Sequence, residues 1–115
     1  MLGEGPKPQA HVTRRGPVEV DALARAVSIH GTVTERLTPM EFKLLTYLME
    51  RSPAVAPWDD IERNIWGVRP EFLTHSYAFE TLEFHCRRLR MKLKGAAPCL
   101  VTHKGIGLQF DPAKA

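Results

Sequence analysis

The chain lacks the features that mark membrane proteins, secreted scaffolds and most enzymes. No apolar run in its 115 residues approaches the roughly 20 needed to cross a bilayer. Its opening stretch, MLGEGPKPQAHVTRRG, carries charge, proline and glycine but no apolar segment, which argues against a secretory signal. Cysteine is scarce: Cys86 and Cys99 are too few for a disulfide scaffold, and reduced thiols in the cytoplasm are expected. His75, His85, Cys86, Cys99 and His103 supply the residue types that bind metals, but no CxxC or HExxH spacing occurs. His85 and Cys86 are neighbours, so on a helix they point about 100° apart and cannot share an ion. Cys86 reads as a small buried hydrophobe rather than a nucleophile or redox switch. The sequence therefore points away from an enzyme and calls for no metal or cofactor.

What is present is a single soluble domain with a lopsided charge. The length suits one modest core, and 43% hydrophobic with 25% charged residues is ordinary for a globular chain. Sixteen Lys and Arg against thirteen Asp and Glu give a net charge of only +3, weak by itself as a sign of nucleic-acid binding. Position says more. Asp59, Asp60 and Glu62 cluster mid-chain, whereas beyond Arg87 the only acid side chain is Asp111. Arg87, Arg88, Arg90, Lys92, Lys94, Lys104 and Lys114 make this end basic.

Residues 1–16 have no hydrophobic periodicity and read as a flexible tail or linker. Arg14 and Arg15 there read as a solvated pair rather than a phosphate contact. Val18–Val20, Ala26–Ile29 and Val33–Leu37 are short and β-branched with turn residues such as His30-Gly31 between them, which predicts a small antiparallel sheet. Thr38-Pro-Met-Glu41 is a helix start with an N-cap, a proline at the first helical position and a capping-box glutamate. Phe42, Leu45, Leu48 and Met49 form its apolar face, and Ser52-Pro53 ends it. A second helix is expected from Trp58 to Trp66, with Ile61, Ile65 and Trp66 inward and Asp59 and Asp60 on its positive end; Gly67 stops it. Residues 67–78 form a long loop. A third helix starts between Thr74 and Thr81, runs to about Lys94 and buries Leu82, Cys86, Leu89 and Leu93. Leu100–Thr102 and Leu108–Phe110 then pair across Gly105-Ile-Gly107 as a hairpin.

With that stripe inward, the third helix turns Glu80, Phe84, Arg87, Arg88 and Met91 outward. Thr81, His85 and Lys92 lie on one flank, and Glu83, Arg90 and Lys94 on the other. An arginine forks onto guanine, a phenyl ring touches a thymine methyl and a carboxylate accepts from cytosine. The flanking Thr81, His85, Arg90 and Lys92 suit phosphates, which fix register without reading sequence. Without further context a solvated helix face explains the same residues equally well.

The order of elements adds that context. A short N-terminal antiparallel sheet, three helices and a C-terminal β-hairpin make an α+β, winged helix-turn-helix domain over residues 17–112, with 113–115 as a C-terminal tail. Leu37-Thr-Pro-Met-Glu-Phe-Lys-Leu-Leu45, Ile65-Trp-Gly67, Glu83-Phe-His-Cys-Arg-Arg-Leu-Arg-Met-Lys-Leu93 and Val101-Thr-His-Lys-Gly-Ile-Gly107 resemble, in order, motifs of the OmpR/PhoB-type effector domains of bacterial response regulators. The resemblance spans roughly Val18 to Phe110. It implies sequence-specific binding of double-stranded DNA for transcription control, with residues 76–94 in the major groove and a wing, 100–110, at the minor groove. On the matching positions, His85, Arg87, Arg88 and Arg90 resemble recognition-helix contacts, Arg88 foremost for reading a base. Thr102 and Lys104 resemble wing contacts, and Trp66 a packing tryptophan.

Some positions depart from the family pattern. Glu80 stands where many members carry an arginine, and Leu108 where tyrosine is common. Pro57 replaces a Ser or Thr N-cap, a loss of about 1 kcal/mol unless another group caps the helix. Loop 67–78 is longer than usual; in relatives it can touch RNA polymerase. There is no acidic pocket and no room for a receiver domain, which fits either an effector separated from its receiver or a stand-alone regulator. The expected partners are double-stranded DNA, RNA polymerase and a second copy on tandem half-sites, in the cytoplasm and on the nucleoid. The alternative function is a winged-helix module that binds protein, using Trp58, Phe72 and Tyr77 as exposed aromatics.

Overall fold

The computed structural model describes residues 11–66 and 75–114, and for residues 66 and 75–81 the backbone alone. The first sheet is a four-stranded antiparallel meander of β1 (Val12–Arg15), β2 (Val18–Asp21), β3 (Ala26–Ile29) and β4 (Thr32–Val33). Its turns follow from local chemistry. His30 and Gly31 both take positive φ, 51° and 83°, the signature of a two-residue hairpin turn whose twist matches its strands. Asp21 Oδ1 accepts the Leu23 and Ala24 amides and closes the β2–β3 turn.

The first strand corrects the expected tail. Val12–Arg15 pairs with β2 through Val12↔Asp21 and Arg15↔Val18, and Arg14 bonds Glu19 across the strands. The proline- and glycine-rich run hid a strand that alternates too weakly to show a hydrophobic face. Pro112 lies against this first turn, between β1 and β2. Pro112–Lys114 form a 3₁₀ turn, and a Cβ added to Gly16 would lie 2.8 Å from the Pro112 side chain. The final expected strand of the sheet is shorter than read, since Thr32–Val33 alone pairs with β3.

Helix α1 (Pro39–Arg51) starts as expected: Thr38 Oγ1 accepts the Glu41 amide while Glu41 Oε1 accepts the Thr38 amide. Its buried face is Leu44, Leu45, Tyr47, Leu48 and Met49, with Phe42 only half-buried at the edge. Val18, Val20 and Val27 of the sheet join this face in one core. Helix α2 (Trp58–Trp66) buries Ile61 and Ile65, and Lys43 of α1 donates to its Ile65 carbonyl at 3.0 Å, a cation at the negative end of a helix. The Trp66 side chain and Gly67 lie outside the described residues.

Helix α3 (His75–Leu93) buries Leu82, Cys86, Leu89 and Leu93 as its spacing predicts. It ends where Lys94, rather than Gly95, takes positive φ, and a 3₁₀ segment (Lys94–Cys99) follows. The hairpin forms from β6 (Leu100–His103) and β7 (Gly107–Phe110), paired Leu100↔Phe110 and His103↔Gly107. Its turn is closed by the Ile106 amide on the His103 carbonyl, with Gly105 at φ 75°.

A third strand, β5 (Val55–Pro57), pairs with β7 to give the order β5-β7-β6. It makes Gly107 obligatory: a Cβ there would sit 1.9 Å from the Ala56 carbonyl oxygen. It also answers the missing cap, because the Trp58 amide donates to the Ile106 carbonyl at 3.1 Å. The hairpin turn thus caps α2, and the wing is fastened to the helical body.

Candidate nucleic-acid interface

Helix α3 presents one outward stripe. Phe84, Arg87, Arg88 and Met91 are exposed, Phe84 at 48% and Met91 at 71%. These positions fall within about two turns, on the order of 10 Å of helix, a length that fits a major groove. His85 is half-buried, its ring edge-on to Phe84 with centroids 5.5 Å apart. The Arg88 guanidinium lies over the Phe84 ring at 5.7 Å. Thr102 and Lys104 are exposed on the wing. The Thr81 side chain and that of Glu80 lie outside the described residues.

Two expected phosphate contacts have other work. Lys92 is buried: its Nζ donates to Glu41 Oε1 at 2.6 Å and to the Arg36 carbonyl at 3.1 Å. With Leu82, Cys86, Leu89 and Leu93 inward, Lys92 is expected on a flank, but the buried stripe is wider and includes it. Arg90 is half-buried, and its Nη2 donates to the Leu100 carbonyl at 2.9 Å and to Thr102 Oγ1 at 3.0 Å. It clamps α3 to β6, and through that bond it fixes Thr102.

Trp58, expected to be exposed for a protein contact, is buried. With Glu83, Cys86, Arg87, Arg90 and Thr102 it lines a cleft between α2, α3 and β6. Phe72 lies outside the described residues, as does the Tyr77 side chain. Burial pushes the Cys86 thiol up to about 11, against a lowering by Arg90 and with a further small rise from Glu83. Such a thiol is not a nucleophile at neutral pH.

Sequence reasoning missed Glu41 as part of this region. It was legible only as a capping residue. Its side chain is 1% exposed, yet it receives Lys92 and faces Arg88, whose Nε lies 3.7 Å from Oε2. Burial works to raise its pKa, but hydrogen bonds from Lys92 and Thr38 and the Lys92 charge outweigh this and hold the carboxyl below its ordinary value. A lysine beside an apolar stripe was the available signal, since a buried cation requires a buried anion.

A helix pair joined to a basic third helix, with a hairpin fastened beside it, defines the winged helix-turn-helix class. Residues 32–110 match the family model described as "Transcriptional regulatory protein, C terminal". The chain belongs to that family of regulator domains. It is 34% identical over 94 residues to the transcriptional regulatory protein YclJ of Bacillus subtilis, covering 80% of this chain and 39% of that protein. It is 30% identical over 100 residues to the DNA-binding response regulator MtrA of Mycolicibacterium smegmatis, covering 84% of this chain and 41% of that protein. The chain thus spans about two fifths of the length of these relatives. Its fold is similar to the Klebsiella pneumoniae RstA DNA-binding domain, solved in complex with the RstA box, at a TM-score of 0.72 and 23% identity over 88% of this chain and 97% of that one.

Proposed function

We propose that this chain is a sequence-specific, double-stranded DNA-binding transcriptional regulator that lays α3 in the major groove and sets the β6–β7 turn at the adjoining minor groove. The observation that carries this reading is the exposed stripe of Phe84, Arg87 and Arg88 beside a wing that Arg90 locks to the same helix. Arg88 reads a base, since a forked guanidinium matches guanine O6 and N7. Phe84 adds apolar contact, while Arg87, His85, Thr102 and Lys104 hold the backbone. Binding as two copies on tandem half-sites, contact with RNA polymerase, and a cytoplasmic, nucleoid-associated location belong to the same proposal and rest on the family resemblance.

The test is titration of the protein with duplex DNA at several salt concentrations. Arg87 and Lys104 meeting phosphates should give a log–log slope of about −2 or steeper, as condensed counterions are released. Binding that ignores salt, or none at low salt, contradicts the proposal. A duplex selected from random sequence on the purified protein then supplies the preferred site.

A further inference from the structure

We infer that Glu41, buried at the start of α1, is a positioning residue for sequence readout: its carboxylate holds the Arg88 guanidinium on the DNA-facing stripe of α3. The inference rests on Arg88 reading a base, as proposed above. The two oxygens of Glu41 are used unequally. Oε1 accepts from Lys92 Nζ at 2.6 Å and from the Thr38 amide at 2.9 Å. Oε2 is buried and has no hydrogen-bond partner, and Arg88 Nε lies 3.7 Å from it.

Neither of the other roles of Glu41 accounts for that second oxygen. Glutamine caps a helix at this position as well as glutamate does, so the capping box does not require a charge. The pair with Lys92 is completed at Oε1. A buried carboxylate oxygen short of a donor attracts a neighbouring cation strongly, because little water competes. Arg88 is the cation there, and the Phe84 ring supports its guanidinium at 5.7 Å. The arginine is therefore bounded by an anion on one side and an aromatic ring on another. A long side chain so restrained loses less freedom when it forks onto a guanine edge.

The experiment uses the whole chain, the duplex selected on it from random sequence, and a scrambled duplex of equal length. Glu41→Gln keeps the cap and the volume but removes the charge. It should lower the ratio of selected to scrambled affinity by about tenfold, within the range of one bidentate base contact, without lowering scrambled-duplex affinity. A purely structural role would lower both affinities together and leave the ratio unchanged. Because Glu41→Gln strands Lys92, the paired variant Glu41→Gln/Lys92→Met is measured as well and should show the same fall. In an Arg88→Ala background, Glu41→Gln should leave the ratio unchanged. An intact ratio in both Glu41 variants, or an equal fall with and without Arg88, overturns the inference. If Arg88→Ala itself leaves the ratio intact, Arg88 does not read a base and the reading beneath the inference fails with it.

Discussion

The two flanks of α3 carry the same kind of residue and use it differently. Toward α1, Lys92 is sunk against a carboxylate with a side chain only 11% exposed. Toward the wing, Arg90 donates to a backbone carbonyl and a hydroxyl of β6. Between them Arg87 and Arg88 stay exposed. Four cations within six positions thus divide into two that hold the helix in place and two that it presents. Formal charge alone does not distinguish them. A lysine that has lost its water needs an anion, whereas the half-buried Arg90 is met by two neutral acceptors at its Nη2. The flank toward α1 is therefore electrostatically matched, and the flank toward the wing is held by hydrogen bonds.

The largest effect should come from breaking the matched flank. Lys92→Ala leaves Glu41 charged and buried without its principal partner, a loss that typically costs about 3–5 kcal/mol. Urea denaturation should register it as a lowered midpoint with little change in slope, and the folded protein should keep its salt dependence on DNA. Unchanged stability together with a shallower salt slope would return Lys92 to the DNA surface and dissolve the contrast.

A smaller effect should appear in acid. The Glu41 carboxyl titrates below its ordinary 4.5 in the folded protein, so around that pH the unfolded chain binds more protons than the folded one. The stability it contributes is full above 4.5 and fades as pH falls through the depressed folded value. The wild type should thus lose stability relative to Glu41→Gln/Lys92→Met as pH drops from about 6 to about 3. A stability difference that stays constant over that range would mean the carboxyl gains nothing from its partners.

The scaffold was far more legible in the sequence than the division of labour on α3. Thr38, Pro39 and Glu41 marked α1 because capping acts over three residues and leaves a local signature. Trp58–Trp66 and the hairpin register were readable for the same reason: short-range periodicity and turn residues set them. Strand β5 was not readable. Val55–Pro57 is three residues long and ends in proline, and it exists because β7, far along the chain, offers Gly107 with room for its backbone. The role of Lys92 was hidden likewise. Its place at the edge of the buried stripe gave a hint, but its partner lies 51 residues away, and only the packing of α3 on α1 brings them together. Arg90 gave no hint at all, because its acceptors on β6, the Leu100 carbonyl and the Thr102 hydroxyl, carry no charge that would mark them as its partners.

The subtlest test concerns the wing, where the hydrogen-bonded flank meets its exposed tip. Lys104 stands at the β6–β7 turn beside Gly105, exposed, while the strand beneath it is held by the Arg90–Thr102 bond. An ammonium so placed contacts phosphate as a point charge and carries no pattern of its own. Lys104→Ala should therefore make the salt slope shallower by about 0.9, the contribution of one phosphate contact, and weaken selected and scrambled duplexes by the same factor. Arg88→Ala should instead act on sequence preference, costing about 1–3 kcal/mol on the selected duplex and relaxing preference at one base position. Competition across a panel of single-base variants distinguishes the two. Equal loss at every position for both substitutions would mean that α3 grips the backbone no differently from the wing, and that the exposed arginines hold the duplex without reading it.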